Sequence, residues 1–266
     1  MRKADKIKLL YIASVSLLAF IIGCVDTSVQ VLPNSVDYRS QVSVVNLIPG
    51  GGTATINMYA NKPSITTSST GGDSIVSNSI DYSTPILSAS LALGSVKGYM
   101  DIPAGGKAFI ATYSGFPAAK DTFGLTTDTD YKMRIYFVGD GTSSGIAVHK
   151  AAERYIGQKP GSSQGASIFP AGSGWIKLFN GSPDDTVTTI KIKGGSIDST
   201  ITPSSPVVFS VGTQYHQFTA GTYTLSFWNG SDSLTSVTQN IASRGRYTAL
   251  IYDLKASLKS KVLTDD

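Results

Sequence analysis

Short segments of alternating apolar and polar residues, separated by turns rich in Gly, Ser and Thr, recur along most of this chain. The segment Thr188-Thr-Ile-Lys-Ile-Lys193 is typical, because its isoleucines alternate with polar residues as a half-buried strand requires. The pattern predicts strands at 42–48, 55–59, 98–102, 108–113 and 131–138, and then at 175–179, 188–193, 207–211, 214–218, 223–228 and 247–254.

The two groups of predicted strands resemble each other, which indicates an internal repeat. Tyr99-Met-Asp-Ile-Pro-Ala-Gly105 and Tyr215-His-Gln-Phe-Thr-Ala-Gly221 share the form Tyr-x-x-apolar-x-Ala-Gly at an offset of 116 residues. The same offset aligns Tyr131 with Tyr247 without a gap. In both copies the Ala-Gly pair predicts a tight turn between two strands.

The beginnings of the two copies align at a different offset. Asn46 and Asn180 occupy the same place in the two first strands and lie 134 residues apart. The difference of 18 residues predicts an insertion in the first copy, and the Ser-, Thr- and Gly-rich segment 64–83 is its predicted place.

The composition favours strands over long helices. Charged residues make up 15% of the chain, which also has 13 Tyr, 10 Phe and 27 Gly. Six or seven strands per copy predict an all-β fold with two tandem antiparallel β-sandwich domains, at 38–150 and 172–266, joined by a linker at 151–171.

The repeated motifs resemble a known family. Val-x-Asn-x-x-Pro at 44–49, Gly-Tyr-x-x-Ile-Pro-Ala-Gly at 98–105 and Tyr-x-x-x-Ile-Tyr at 131–136 are similar to domain of unknown function 4397, over most of residues 42–254. The second copy departs from the pattern at Thr219, where the first has Pro103. The resemblance implies immunoglobulin-like sandwiches, often in tandem on bacterial lipoproteins, and implies no catalytic residues.

The N-terminus has the pattern of a secretory signal at 1–23. Basic residues precede an apolar run of 14 residues at 9–22, which is shorter than the about 20 residues that a spanning helix needs. Removing residues 1–23, which contain four basic residues and one acidic residue, leaves 18 basic and 17 acidic residues. Because no concentrated basic face remains, we do not expect a nucleic-acid partner.

Cys24 is the only cysteine, so it cannot form an internal disulfide. Ile21-Ile22-Gly23-Cys24 resembles the bacterial lipobox, which implies cleavage before Cys24 and attachment of lipid to its thiol. Acyl chains contribute about 0.8 kcal/mol per buried methylene and would anchor the protein to a membrane. An Asp directly after the cysteine would resemble the inner-membrane retention signal of some Gram-negative lipoproteins. This position is Val25, which favours the outer membrane, and residues 24–37 are predicted to form a tether. The alternative is an ordinary signal peptide with a chance cysteine.

Candidate catalytic and metal-binding residues are few. Gly141-Thr-Ser-Ser-Gly145 matches a nucleophile elbow with Ser143 and a nearby His149, but a hairpin loop explains these residues better, because an elbow needs a following helix and a strand-like segment follows here. Asp184-Asp185 and Asp128-Thr-Asp130 are acidic pairs that could bind calcium weakly, but turns explain them better, because they lack the number of ligands of a dedicated calcium site. We expect no enzyme activity, metal or cofactor.

Trp228 is the candidate ligand platform. Leu225 and Phe227 lie on one face of their predicted strand and Trp228 lies on the other, where an aromatic ring can stack on a sugar. The alternative is a half-buried packing role. The sequence therefore predicts a non-catalytic envelope module for binding, adhesion or structure. The alternatives are a polysaccharide-binding accessory lipoprotein and a serine hydrolase.

Overall fold

The structure, a computed structural model, describes residues 39–67, 73–127, 131–154, 170–195 and 197–265. The described residues form eighteen β-strands and a short 3₁₀ turn at Lys255–Ser257, and they contain no α-helix. The all-β prediction is therefore confirmed. No helix among these residues is long and apolar enough to cross a membrane. The predicted signal, Cys24 and the tether lie outside the described residues.

The strands fall into two groups of nine. The first copy contains β1 (Arg39–Asn46), β2 (Ala54–Thr67), β3 (Asp73–Ile80), β4 (Leu87–Leu91), β5 (Val96–Pro103), β6 (Gly105–Tyr113), β7 (Phe116–Thr127), β8 (Tyr131–Gly139) and β9 (Ile146–Arg154). The second contains β10 (Ser173–Gly181), β11 (Thr189–Gly194), β12 (Ile197–Ile201), β13 (Val211–Gly212), β14 (His216–Thr219), β15 (Gly221–Asn229), β16 (Asp232–Ile241), β17 (Arg246–Tyr252) and β18 (Lys259–Thr264). Strand β9 continues beyond the predicted domain end at 150, and residues 155–169 of the predicted linker are not described.

Each copy is a sandwich of two sheets with the same strand order. We call the sheets β5-β1-β8-β9 and β13-β10-β17-β18 the inner sheets, and β14 also pairs with β10. The sheets β3-β2-β6-β7 and β12-β11-β15-β16 are the outer sheets, and β4 also pairs with β2. The shared order confirms the repeat.

One strand pair in each copy corrects the prediction of purely antiparallel sheets. Strand β1 pairs with β8, and β10 with β17, in parallel. The chain visits the outer sheet between the two partners, so it can return to the inner sheet in its original direction. The chain passes from the inner to the outer sheet at the Ala-Gly turns. Strands β5 and β14 precede these turns and belong to inner sheets, whereas β6 and β15 follow them and belong to outer sheets.

The predicted insertion lengthens a hairpin that both copies possess. In the first copy β2 and β3 pair from Asn61 with Ile80 to Thr67 with Asp73. The corresponding hairpin of the second copy, β11–β12, is closed after Gly194 pairs with Ile197. The extra residues therefore extend two existing strands and add none to the sheet.

The match between Tyr131 and Tyr247 is two residues out of structural register. Val42 pairs with Met133, whereas its equivalent Ile176 pairs with Tyr247. Strands β8 and β17 therefore correspond at an offset of 114 and not 116. The physical cause lies in the bulges of the two preceding hairpins. The bulge of the β6–β7 hairpin leaves three residues of β7 unpaired, whereas the bulge of the β15–β16 hairpin leaves one residue of β16 unpaired.

Each sandwich encloses its own hydrophobic core, and a third cluster joins the two copies. This interface cluster lies between the inner sheets and contains Val45, Leu47, Tyr136, Val138, Phe179, Leu250, Tyr252 and Leu263. The rings of Tyr136 and Phe179 stack with their centroids 4.0 Å apart. The copies therefore form a stack of four sheets within one compact unit, Tyr38–Asp266.

Gly94 allows the loop before β5 to approach the second copy closely. Its φ is +74°, and a Cβ at this position would clash with the Tyr252 hydroxyl oxygen. The Lys261 ammonium donates to the Gly94 carbonyl oxygen at 3.2 Å. Only glycine fits both the backbone conformation and the contact.

Asn46 and Asn180 perform the same structural task in the two copies. The Asn46 side-chain amide donates to the Leu91 carbonyl, and its oxygen accepts from the Ile48 N–H. The Asn180 amide donates to the carbonyls of Asp185 and Val207, both at 2.9 Å, and its oxygen accepts from the Ser182 N–H. Both side chains are fully buried and join chain segments that the sheets do not pair.

Replacing Asn180 by alanine is expected to lower the free energy of unfolding by about 3 kcal/mol, because several buried backbone groups lose their partners. Urea unfolding measures this change. Asn57→Ala, at a half-buried position on β2, is the matched control and should cost less than about 0.5 kcal/mol. Equal losses for the two variants would show that the buried amide is not structural.

Candidate functional site

Trp228 lies near the end of β15, in the outer sheet of the second copy, and pairs with Thr189. Leu225 and Phe227 point into the core, as predicted, and Trp228 occupies the opposite face. The indole is half-buried, and the Lys191 ammonium lies 3.5 Å from the centre of its ring. Its N–H is buried and has no hydrogen-bond partner in the described part of the chain.

Hydroxyl groups surround Trp228 on this face. Lys191 pairs with Ser226, which pairs with Ser236 on β16. The Thr224 and Thr238 hydroxyls lie 3.0 Å apart in the next row. We call this surface the Trp228 face; its members are Lys191, Lys193, Asp198, Thr200, Thr224, Ser226, Trp228, Ser236 and Thr238. A sheet surface of hydroxyls, two ammonium groups, one carboxylate at the edge strand and one indole offers hydrogen bonds and a stacking ring.

A second polar group lies between the inner sheets and was not predicted. Asp265 is fully buried, and its carboxylate forms an ion pair with Arg134 of the first copy. The Thr248 and Tyr215 hydroxyls donate to the other carboxylate oxygen, both at 2.7 Å. The Lys132 ammonium donates to the Asp265 carbonyl oxygen at 3.4 Å. We call these five residues the Asp265 cluster.

The tyrosines of the repeated motif both reach this cluster. Lys132 and Arg134 lie over the Tyr99 ring, at 4.8 and 5.1 Å from its centre, and Tyr215 donates to Asp265. The match between Tyr99 and Tyr215 was therefore the one feature of the sequence analysis that pointed to residues of this cluster. It identified a repeat, but it could not show that two copies share one site.

The electrostatics of the cluster favour a charged Arg134. Burial, the largest single influence, would lower the pKa of Arg134, but the Asp265 carboxylate together with Tyr99 and Tyr136 outweighs burial and raises it. Burial raises the pKa of Tyr136 to about 12, although Arg134 opposes this. Arg134 therefore stays charged and Tyr136 stays neutral at neutral pH. A buried ion pair between the two copies constrains how their inner sheets can sit against each other, although the Arg134 Nε itself has no hydrogen-bond partner among the described residues.

Ser143 lies on the exposed turn between β8 and β9. Asp140 caps the turn, because its carboxylate accepts from the N–H and the hydroxyl of Thr142, at 2.8 and 2.6 Å. A strand follows the turn where a nucleophile elbow needs a helix. The hairpin interpretation therefore holds. His149 lies on β9, and its side chain is outside the described part of the structure.

Asp184 and Asp185 hold a turn together. The Asp184 carboxylate accepts from the Lys255 N–H at 2.8 Å, and the Asp185 carboxylate accepts from the Asn229 amide at 3.1 Å. Among the described residues there is no group of three acidic, His or Cys side chains that could hold a metal ion. Asp128 and Asp130 lie outside those residues.

Trp175 and His216 belong to the inner sheet of the second copy. Trp175 is buried in β10. His216 begins β14 and is half-buried. Neither residue contributes to the Trp228 face.

No family model and no curated protein matches this chain. Among solved structures, it is similar to the tip fimbrial protein Mfa3 from Porphyromonas gingivalis (5% identity, 86% of this chain and 99% of that chain, TM-score 0.27). It is also similar to a fimbrial assembly protein from Parabacteroides distasonis (10% identity, 86% and 99%, TM-score 0.23) and to the Bacillus anthracis TIE protein (9% identity, TM-score 0.23). The last match covers 84% of this chain but only 34% of the TIE protein. TM-scores this low do not establish a shared fold.

Proposed function

We propose that this protein is a lipid-anchored, non-catalytic envelope protein whose paired β-sandwiches act as a binding, adhesion or structural module. The observation that carries the proposal is the sequence Ile21-Ile22-Gly23-Cys24, directly after a short apolar run and ahead of an all-β body. Its proposed partners are the outer membrane, through lipid on Cys24, and a glycan or protein ligand. The resemblance to domain of unknown function 4397 supports the same proposal.

The architecture suits a module that presents surfaces. The inner sheets are buried against each other by the interface cluster, so both outer sheets face away from the contact between the copies. The polar side chains of the outer sheets are therefore available to a ligand. The tether, residues 24–37, would separate this body from the bilayer.

Lipid anchoring is tested by replacing Cys24 with serine. We expect the native chain to fractionate with outer membranes and the Cys24→Ser chain to lose its lipid and leave that fraction, because no other cysteine can carry a thioether. The matched control combines Cys24→Ser with Ser28→Cys, which restores a thiol outside the lipobox and should not restore anchoring. Unchanged fractionation of Cys24→Ser would refute the anchor. Protease treatment of intact cells then distinguishes a surface orientation from a periplasmic one.

Polysaccharide binding is the second candidate function. The specific observation that favours it is the indole of Trp228 on an outer sheet that otherwise carries hydroxyl and ammonium groups. Trp228→Ala should reduce retention of the protein on immobilised polysaccharide. Equal retention of both proteins would contradict this candidate without affecting the lipid anchor.

A further inference from the structure

The Trp228 face has an arrangement of charge that restricts its ligand. Lys191 projects from β11 between the hydroxyl residues Thr200 and Ser226, and Lys193 lies between Asp198 and Thr224. Lys191 has no carboxylate within ion-pair distance among the described residues, and its contact is the Trp228 ring. The only carboxylate beside these lysines in the sheet register is Asp198, opposite Lys193 at the edge strand. The centre of the face is therefore cationic.

The Lys191 ammonium occupies the place where a stacking ring would sit. A neutral sugar would have to displace the ammonium from the indole and would give it no opposite charge in return. A sugar carboxylate would draw the ammonium into an ion pair and leave the indole free for the sugar ring. An exposed cation–π contact is weak enough for such an exchange.

We propose that the Trp228 face binds an acidic polysaccharide, with Trp228 stacking on a sugar ring and Lys191 pairing with a carboxylate of the uronate class. This inference rests on the polysaccharide-binding function proposed above and specifies its substrate class. The hydroxyls of Ser226, Ser236 and Thr238 lie in adjacent rows and supply hydrogen bonds to the sugar hydroxyls.

The surface chemistry favours a glycan over a protein. The large apolar side chains that are most exposed among the described residues are Tyr82, Ile86, Val208, Val211 and Leu254, and none of them lies on this face. Protein interfaces usually bury such apolar anchors at their centre. A flat, hydroxyl-lined sheet with one aromatic ring offers few of them.

The test measures binding of the full-length chain, purified in mild detergent, to immobilised polygalacturonate. A neutral glucan of similar length and polyglutamate serve as the comparison polymers. Lys191→Gln removes the charge from an exposed position and does not threaten folding. Lys177→Gln is the matched control, because Lys177 lies over the Tyr215 ring at 4.7 Å on the inner sheet. Trp228→Ala completes the set, with its thermal unfolding measured in parallel.

We expect polygalacturonate to bind the native chain, Lys191→Gln to weaken binding about tenfold or more, and Lys177→Gln to leave it unchanged. Binding of the neutral glucan with equal affinity, lost in Trp228→Ala, would overturn the uronate class and leave polysaccharide binding in place. Equal binding of polyglutamate would overturn the stacking contact. Absence of binding to all three polymers, or equal binding by Lys191→Gln, would also overturn the inference.

Discussion

Replacing Asp265 by asparagine is expected to lower the free energy of unfolding by about 3 kcal/mol, because it leaves the Arg134 guanidinium buried without its counter-charge. Arg134 is only 3% exposed and cannot turn to water without opening the contact between the copies. The asparagine keeps the shape of the side chain and one acceptor for Thr248. The loss of unfolding free energy therefore measures mainly the effect of removing the negative charge, and only slightly a change in packing.

Urea unfolding measures the effect, with Asp232→Asn as the control. Asp232 is exposed at the start of β16, and its change should alter stability by less than about 0.5 kcal/mol. The double variant Arg134→Met with Asp265→Leu should recover much of the stability, because removing both charges leaves no buried ion unpaired. A small effect of Asp265→Asn, comparable with that of the control, would mean that water reaches Arg134.

Replacing Phe179 by alanine is expected to lower the free energy of unfolding by about 3–4 kcal/mol, because it empties the centre of the interface cluster. Phe179 belongs to the second copy and stacks on Tyr136 of the first. The losses from Phe179→Ala and Tyr136→Ala should therefore be less than additive, with a coupling of about 1 kcal/mol.

The control cycle pairs Phe179→Ala with Phe227→Ala. Phe227 lies in the second copy's own core and has no place in the interface cluster, so these two losses should add. If Phe179 and Tyr136 instead affect two separate unfolding transitions, the copies are independent domains and the contact between them is weak.

Strong alternation predicted β11 correctly, whereas the strand predicted at 207–211 is only an isolated bridge at Val207 followed by a turn before β13. Ile190 and Ile192 are buried between exposed Lys191 and Lys193, as the pattern requires. Strands β7 and β16, which lie at sheet edges, were not predicted. Seven of the ten residues of β16 are polar, so its apolar signal is weak. Strand β17 is buried on both faces, so its apolar run predicted where the strand lies but not which side chains face the core of the sandwich and which face the other copy.

The candidate sites also differ in how far the sequence could predict them. Trp228 could be placed on the outer face from the alternation of its own strand, a local property. The Lys191 contact needed the register of the neighbouring strand, and the Asp265 cluster needed two residues 131 positions apart to meet. Such contacts are set by the packing of whole sheets, which a single sequence does not encode in any short motif.

Calorimetry of residues 25–266 tests most directly the central claim that the two sandwiches form one folded body. We expect a single thermal transition with a ratio of calorimetric to van't Hoff enthalpy of about 1, because the interface cluster and the Asp265 cluster couple the copies. Two resolved transitions, or a ratio of about 2, would contradict it and would make the copies independent domains.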